Sequence, residues 1–431
     1  MPVVRLSAAR RYRGISSIDR DRLMRTAKQP VKQRSKLVRR PFLGYGRQSI
    51  NAHDIDAVVA VLRSDYLTQG PVVERFEAAL AEYVGARFVV AVSSGTAALH
   101  IACLAAGLRS GSRAITQAIT FVATANAPIA CGARVAAVDI DSMTLGLDLG
   151  GLRSALTQNP DASVVLPVHM GGLAANSQAI AAASAGRAVI EDACHALGGR
   201  ELDGAMVGSC RYSAMACFSF HPVKSITTGE GGAVTTNDPE LARRLRMLRN
   251  HGLEREAARL CEREQGFDHG EPNPWYYEQQ LLGFNYRITD LQAALGLSQL
   301  RRIDDFMRRR LELARYYDAS FAGVLALRPL QASSDARARS AHHLYIVDID
   351  YSALGRSRRA VMADLKQRGI GTQVHYIPLY RQPFHRGLGQ PKDFPSAERY
   401  YNGCLSLPLH AALTDADAAR VVSAVRKVFS C

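Results

Sequence analysis

One lysine stands apart in this sequence. The chain has 54 basic residues, but only seven are lysine, and between Lys36 and Lys366 there is just Lys224. Arginine keeps its proton in proteins, whereas a desolvated lysine can lose it and attack a carbonyl, as Schiff-base chemistry requires. Lys224 lies in AMACFSFHPVKSITTGEGG, residues 214–232. That stretch opens with strand character, breaks at Pro222 and ends in a Thr/Gly-rich turn. Most lysines in most proteins are surface charges, so the neighbours decide its meaning.

Four further stretches each follow a presumed strand. SSGTAAL, residues 93–99, puts Gly95 and Thr96 at a helix start, where backbone N–H groups and the helix dipole can hold a phosphate. The same letters also make an ordinary Ser/Thr cap. No GxxxxGK[ST] loop and no GxGxxG after a strand are present. IEDACHA, residues 190–196, places Asp192 at a strand exit with His195 three residues on. A carboxylate there can keep a ring nitrogen protonated and make a pyridine an electron sink, or it can cap the next turn. ITFVATANA sets Phe121 among small residues, either as core or as a stacking surface for a flat ring. LLGFNYRITDLQAALGLSQL, residues 281–300, carries Asn285 and Arg287 just before a helix that Thr289 and Asp290 suit as caps. No ligand set has the spacing of a metal site, and no metal is expected. A nucleophilic lysine, a carboxylate for a ring nitrogen, hydroxyls for a phosphate and an aromatic for a ring are what pyridoxal 5′-phosphate asks of a protein.

The elements that must position these groups follow from periodicity. Residues 50–84 read as two helices broken at TQGP. Strands FVVAV, RAITQ, ARVAAVDI, VVLPVH, AVIED, AMACFSF and GAVTT then alternate with helical stretches, the pattern of a mostly parallel sheet with ligands near its strand C-termini. Residues 254–280 have little pattern. A helical run from Thr289 to Phe321 suits a strut between lobes. Beyond it comes a smaller α/β unit: strand HHLYIVDID, helix SRRAVMADLKQRG, strand TQVHYI, a Pro/Gly-rich loop and helix TDADAARVVSAVRKVF. The expected division is a basic leader over 1–40, a large cofactor domain over 41–300, and strut plus small domain over 301–431.

Composition narrows the class. At 431 residues, 47% hydrophobic and 22% charged, the chain suits a soluble enzyme, and no apolar run approaches membrane-spanning length. Eight scattered cysteines without a CxxC pair point away from a disulfide framework and towards the cytoplasm. Thirteen Lys/Arg and two Asp fall within residues 1–40, leaving only +4 of the net +15 for the rest. The basic character therefore belongs to the leader, which reads first as a disordered tail or an over-extended start before Met24, with a nucleic-acid or acidic-lipid contact or a transit-like segment as the alternatives.

SSGTAAL, ITFVATANA, IEDACHA, FSFHPVK…TGEGGAV and GFNYRITDLQAALGLSQL together resemble the DegT/DnrJ/EryC1/StrS family of nucleotide-sugar aminotransferases, collinearly from about Tyr45 onward. The resemblance implies a fold type I transferase: a large domain with a mostly parallel seven-stranded sheet and a small C-terminal α/β domain. It implies pyridoxal phosphate held by Lys224 as a Schiff base, Asp192 on the pyridine nitrogen, His195 beside the ring, and Phe121 stacked on it. Gly95, Thr96 and Ser219 would take the phosphate, joined by Asn285 from the other subunit of a homodimer. His221, Arg287, His375 and Tyr376 become candidates for the substrate site. LTQGP, FVATANA, KSITTGEGGAV and GIGTQVHYIPLY are most similar to the C4 aminotransferases of pseudaminic-acid biosynthesis. Those enzymes pass the amino group of L-glutamate to a UDP-linked 4-keto-6-deoxy-N-acetylhexosamine. A dTDP- or GDP-sugar, amination at C3, or a non-catalytic regulatory or nucleic-acid-binding protein on the same fold are the rival readings.

Overall fold

Seven five-residue strands build the sheet that carries the candidate residues: β1 (Phe88–Val92), β2 (Arg113–Gln117), β3 (Arg134–Val138), β4 (Ala162–Leu166), β5 (Ala188–Asp192), β6 (Met215–Ser219) and β7 (Gly232–Thr236). The computed structural model describes residues 41–429; the expected leader over 1–40 lies outside them. The strand order is β1-β7-β6-β5-β4-β2-β3. The four pairings among β2 to β6 are parallel, while β7 runs antiparallel to β1 and β6. This is the expected mostly parallel sheet. Most strand residues are buried, which is why they read as near-continuous apolar runs.

The helices are α1 (Ala52–Leu62), α2 (Pro71–Val84), α3 (Gly95–Ala105), α4 (Val122–Ala130), α5 (Leu149–Gln158), α6 (Ser177–Ser184), α7 (Pro239–Arg249), α8 (Asp290–Leu300) and α9 (Ile303–Phe321). Alternating strand positions divide the core. Val89, Ala91, Ala216 and Phe218 pack with Phe76 and Leu80 of α2 and Ala293 of α8. Val90, Val92, Met215 and Cys217 instead pack with α3 and with Leu245 and Leu248 of α7. Each face is thereby sealed by its own helices.

One expectation needs correction here. The helical run from Thr289 to Phe321 is two helices, broken at Arg301 and Arg302. Arginine is a good helix former, so the break has a tertiary cause. Buried Asp54 on α1 accepts from Ser298 Oγ (2.7 Å), Gln299 Nε2 (2.7 Å) and Arg302, and Arg302 also reaches the Ser49 carbonyl at 3.2 Å. Asp290 also does more than favour its own helix. Its carboxylate accepts from the Gly70 and Val72 N–H groups at 2.8 and 3.0 Å and so caps α2 across the fold, while Thr289 and Gln292 form a capping box on α8.

A second, antiparallel sheet has the order β8 (Leu327–Pro329), β9 (Tyr345–Ile349), β10 (Cys404–Leu407). Its core joins Tyr317 and Phe321 of α9, Val361 and Leu365 of α10 (Arg358–Gln367), and Val421 and Val425 of α11 (Asp415–Phe429). Leu43 packs into this core and pairs with Ile370. The expected strand TQVHYI is not formed. Gln373 makes a single bridge to Ser406, and the chain then turns towards the cavity described below. Residues expected as loop supply a helix, Pro395–Gly403, and β10. Among the described residues no helix is long and apolar enough to cross a membrane.

Candidate active site

A cavity of about 560 Å³ opens at the C-terminal ends of β5 and β6, against the start of α3. Its lining includes Gly95, Thr96, Phe121, Asp192, His195, Ser219, His221, Lys224, His375 and Tyr376, ten of the twelve residues singled out from sequence. Asn285 and Arg287 are not among them. Asn285 is exposed and pairs with Asn250, and Arg287 donates to Asn250 Oδ1 at 2.6 Å beside a separate cavity of about 780 Å³.

The α3 start is built for an anion. Ser94 caps the helix by accepting from Ala97 N–H at 3.1 Å, which leaves the first-turn N–H groups of Gly95 and Thr96 without intrahelical acceptors. Side chains are excluded by close approach. A Cβ on Gly95 would meet the Ser219 Cβ at 2.7 Å, and one on Gly232 would meet the Ser94 carbonyl oxygen at 2.5 Å. Two glycines are thus required where β6 and β7 pass the helix.

Asp192 is buried at the end of β5. Thr124 Oγ1 donates to its Oδ2 at 2.6 Å and is itself in contact with Thr120 Oγ1 at 2.7 Å; Cys194 N–H donates to Oδ1 at 3.2 Å. These bonds fix the carboxylate's orientation and leave it further acceptor capacity. Lys224, partly buried, forms no side-chain hydrogen bond or ion pair with a described residue. Desolvation lowers its pKa, opposed by Cys194 and Asp192. The amine is therefore easier to deprotonate than a surface lysine.

Neutral rings face this charged side. His195 is buried, and its pKa is pushed well below normal by burial first and then by Lys224 and His375. Its Nδ1 accepts from Gly171 N–H at 3.4 Å, so the neutral ring carries its proton on Nε2 and donates it to Tyr376 Oη at 3.0 Å. The Tyr376 hydroxyl hydrogen is left to point elsewhere. His375 is lowered to about 3 by burial and Lys224, and its Nδ1 meets Ser406 Oγ at 2.8 Å. Phe121, the residue before α4, is 53% exposed at the rim, its ring 5.7 Å from that of Tyr376. That exposure removes the core reading of Phe121.

Sequence reasoning missed His343 and Tyr45. His343 is buried with its ring 4.2 Å from His195, and its Nδ1 has no partner. The doubled histidine of HHLYIVDID was its signal, absorbed into a strand reading. Tyr45 lines the cavity and stacks edgewise on His375. Behind β5, buried His169 lies 3.2 Å from Glu191, with Glu201 nearby. Its Nδ1 accepts from Ala175 N–H at 3.0 Å, so Nε2 holds the proton and the set is a hydrogen-bond network bracing the turn after β4.

Comparison with known proteins agrees with this geometry. The model of the DegT/DnrJ/EryC1/StrS aminotransferase family matches residues 48–426. The spore coat polysaccharide biosynthesis protein SpsC of Bacillus subtilis is 38% identical over 395 residues, covering 90% of this chain and 98% of the relative. Among solved structures, Helicobacter pylori PseC, an aminotransferase involved in the biosynthesis of pseudoaminic acid, superposes with a TM-score of 0.80 at 29% identity, over 90% of this chain and 99% of that one. The PLP-form of the putative sugar aminotransferase Spr1654 from Streptococcus pneumoniae gives a TM-score of 0.79 at 26% identity, over 90% and 99%. The chain belongs to the DegT/DnrJ/EryC1/StrS aminotransferase family, with the fold type I architecture and pyridoxal-phosphate dependence of that family.

Proposed function

We propose that this family member is a cytoplasmic sugar aminotransferase that moves the amino group of L-glutamate to C4 of a UDP-linked 4-keto-6-deoxy-N-acetylhexosamine, in pseudaminic-acid or related cell-surface sugar synthesis. The observation that carries the reading is the convergence of Lys224, Asp192 and the open first turn of α3 on one cavity. The likeness to PseC supports a place in pseudaminic-acid synthesis, and the likeness to SpsC supports a polysaccharide destination.

The residues present suit the cofactor. Gly95 and Gly232 keep side chains out of the α3 cradle, Asp192 is oriented with acceptor capacity to spare, and the Lys224 amine is uncommitted. Pyridoxal phosphate, when bound, supplies an electrophilic carbon for amines and an electron sink. Lys224 would hold it and, once released, move a proton at the Cα of the donor as base and then as acid. Asp192 would keep the pyridine nitrogen protonated. Gly95, Thr96 and Ser219 would bind the phosphate, Phe121 would cover the ring and His195 would flank it. Asn285 of a second copy would complete the phosphate site, which makes the active unit a homodimer. His221, His375 and Tyr376 would contact the substrates from within this cavity, and Arg287, which lies outside it, would reach them only from a second copy. On this reading residues 41–300 form the cofactor domain and residues 301–431 the strut and small domain.

The test is spectroscopic. Visible absorbance of the purified protein should fall on adding glutamate, and candidate UDP-, dTDP- and GDP-4-keto sugars should restore it at different rates. Fastest recovery with the UDP-linked N-acetylhexosamine supports the proposal; fastest recovery with another nucleotide reassigns the substrate. An absence of any band after adding cofactor would leave the non-catalytic reading.

A further inference from the structure

Arg310, on α9, is buried to 2% exposure, and among the described residues no carboxylate pairs with it. Its charge is met only by carbonyl oxygens. Nη1 donates to His342 at 3.1 Å, His343 at 3.5 Å and Leu409 at 3.1 Å, and Nη2 donates to Lys224 at 3.5 Å. Nε has no partner. A buried cation without a counter-ion is costly, so its retention here calls for a reason. The partners suggest one. Each held segment supplies a wall of the cavity: Lys224 itself, His343, and Leu409, whose N–H bonds the carbonyl of cavity-lining Tyr45 at 3.0 Å. One turn-pair further along α9, Tyr317 Oη donates to the Pro408 carbonyl at 3.0 Å and braces the same segment.

We infer that Arg310 is a positioning residue for the Lys224 chemistry: by holding the carbonyls of Lys224, His342, His343 and Leu409 it clamps the lysine's loop to the small-sheet wall and fixes where the lysine side chain starts. The inference rests on the reading of Lys224 as the cofactor lysine. Burial leaves the guanidinium charged at neutral pH, its pKa lowered to about 10.

The experiment uses the holoenzyme with Arg310→Met, Arg310→Gln and Arg310→Lys. Borohydride reduction and peptide mapping locate the cofactor lysine, and steady-state kinetics separate kcat from KM. Arg310→Met and Arg310→Gln remove the clamp and should lose about tenfold in kcat with little change in KM. Both should show this loss, so either variant suffices if the other does not fold. Arg310→Lys keeps the charge but cannot span three carbonyl segments, and it should show the same loss. A purely structural residue would lower thermal stability and leave kcat per folded site unchanged. Mapping to a lysine other than Lys224 overturns the functional reading and this inference together. Mapping to Lys224 with wild-type kcat in the folded variants overturns this inference alone.

Discussion

The two sheets meet at one cavity with unlike contributions. The seven-stranded sheet presents charge and dipole: Lys224 beyond β6, Asp192 at the end of β5 and the bare first turn of α3, all tied to regular elements. The side of the three-stranded sheet presents neutral rings, His343, His375 and Tyr376, from backbone lying outside the strands. Proton transfer tolerates little misplacement and gains from rigid strand ends, whereas recognition of a polyhydroxylated ligand needs many neutral donors and acceptors. On the proposed reading the first region would set the reaction, and the second would set what is admitted to it.

Substitutions can break this division, beginning with the largest effect. Lys224→Arg should abolish multiple turnover, a loss of at least about 10⁴-fold, because the guanidinium cannot act as base or nucleophile. A steady-state rate in that variant would move the chemistry elsewhere.

Acid should separate the two regions physically. His342, His375 and His410 are buried on the small-sheet side and held at about 3, 3 and 4, burial being the first cause in each. Their folded pKa values lie below the unfolded value near 6.5, so the unfolded chain binds protons first as pH falls. Stability is therefore complete above about pH 6.5 and drains away towards pH 4, at up to about 1.4 kcal/mol per histidine per pH unit. Hydrogen exchange at pH 5 should show residues 340–410 losing protection before β1 to β7. Equal loss in both regions would contradict the assignment.

Smaller effects sharpen the contrast. Gly95→Ala drives a methyl against Ser219 and should weaken cofactor retention by about ten- to a hundredfold, read by spectral titration. Tyr376→Phe removes the hydroxyl that His195 leaves free to donate. It should raise the sugar KM by roughly fivefold to tenfold, the worth of one hydrogen bond, with kcat nearly unchanged. A matching fall in kcat would place Tyr376 with the chemistry instead.

The same contrast decides how much could be read from sequence. β1 to β7 and their helices were legible because buried parallel strands are short apolar runs. Lys224, Asp192 and Gly95 were legible because each follows such a run directly. The small-sheet side was not. TQVHYI alternates like a strand, yet only Gln373 forms a bridge to another strand. Pro395 and Gly403 made a helix look like loop, although Pro at the first turn is favourable. The break at Arg302 has no local signal at all, since it depends on Asp54 some 250 residues away. Arg310 looked like one more arginine on a strut helix. Only the fold shows that it is buried.

The pairing of Ser219 with Gly232 closes the Lys224 loop at its base, and the Phe220 N–H to Gly231 carbonyl bond at 2.8 Å tightens the closure. The loop's length is thus independent of the sheet's register. Doubling a flexible loop adds only about 0.6 kcal/mol of closure entropy. A lineage can lengthen or rewrite the exposed rim at His221 without shifting Ser219 or Asp192. In evolutionary terms, substitutions at that rim can be tried while the strand ends that carry Ser219 and Asp192 stay where they are.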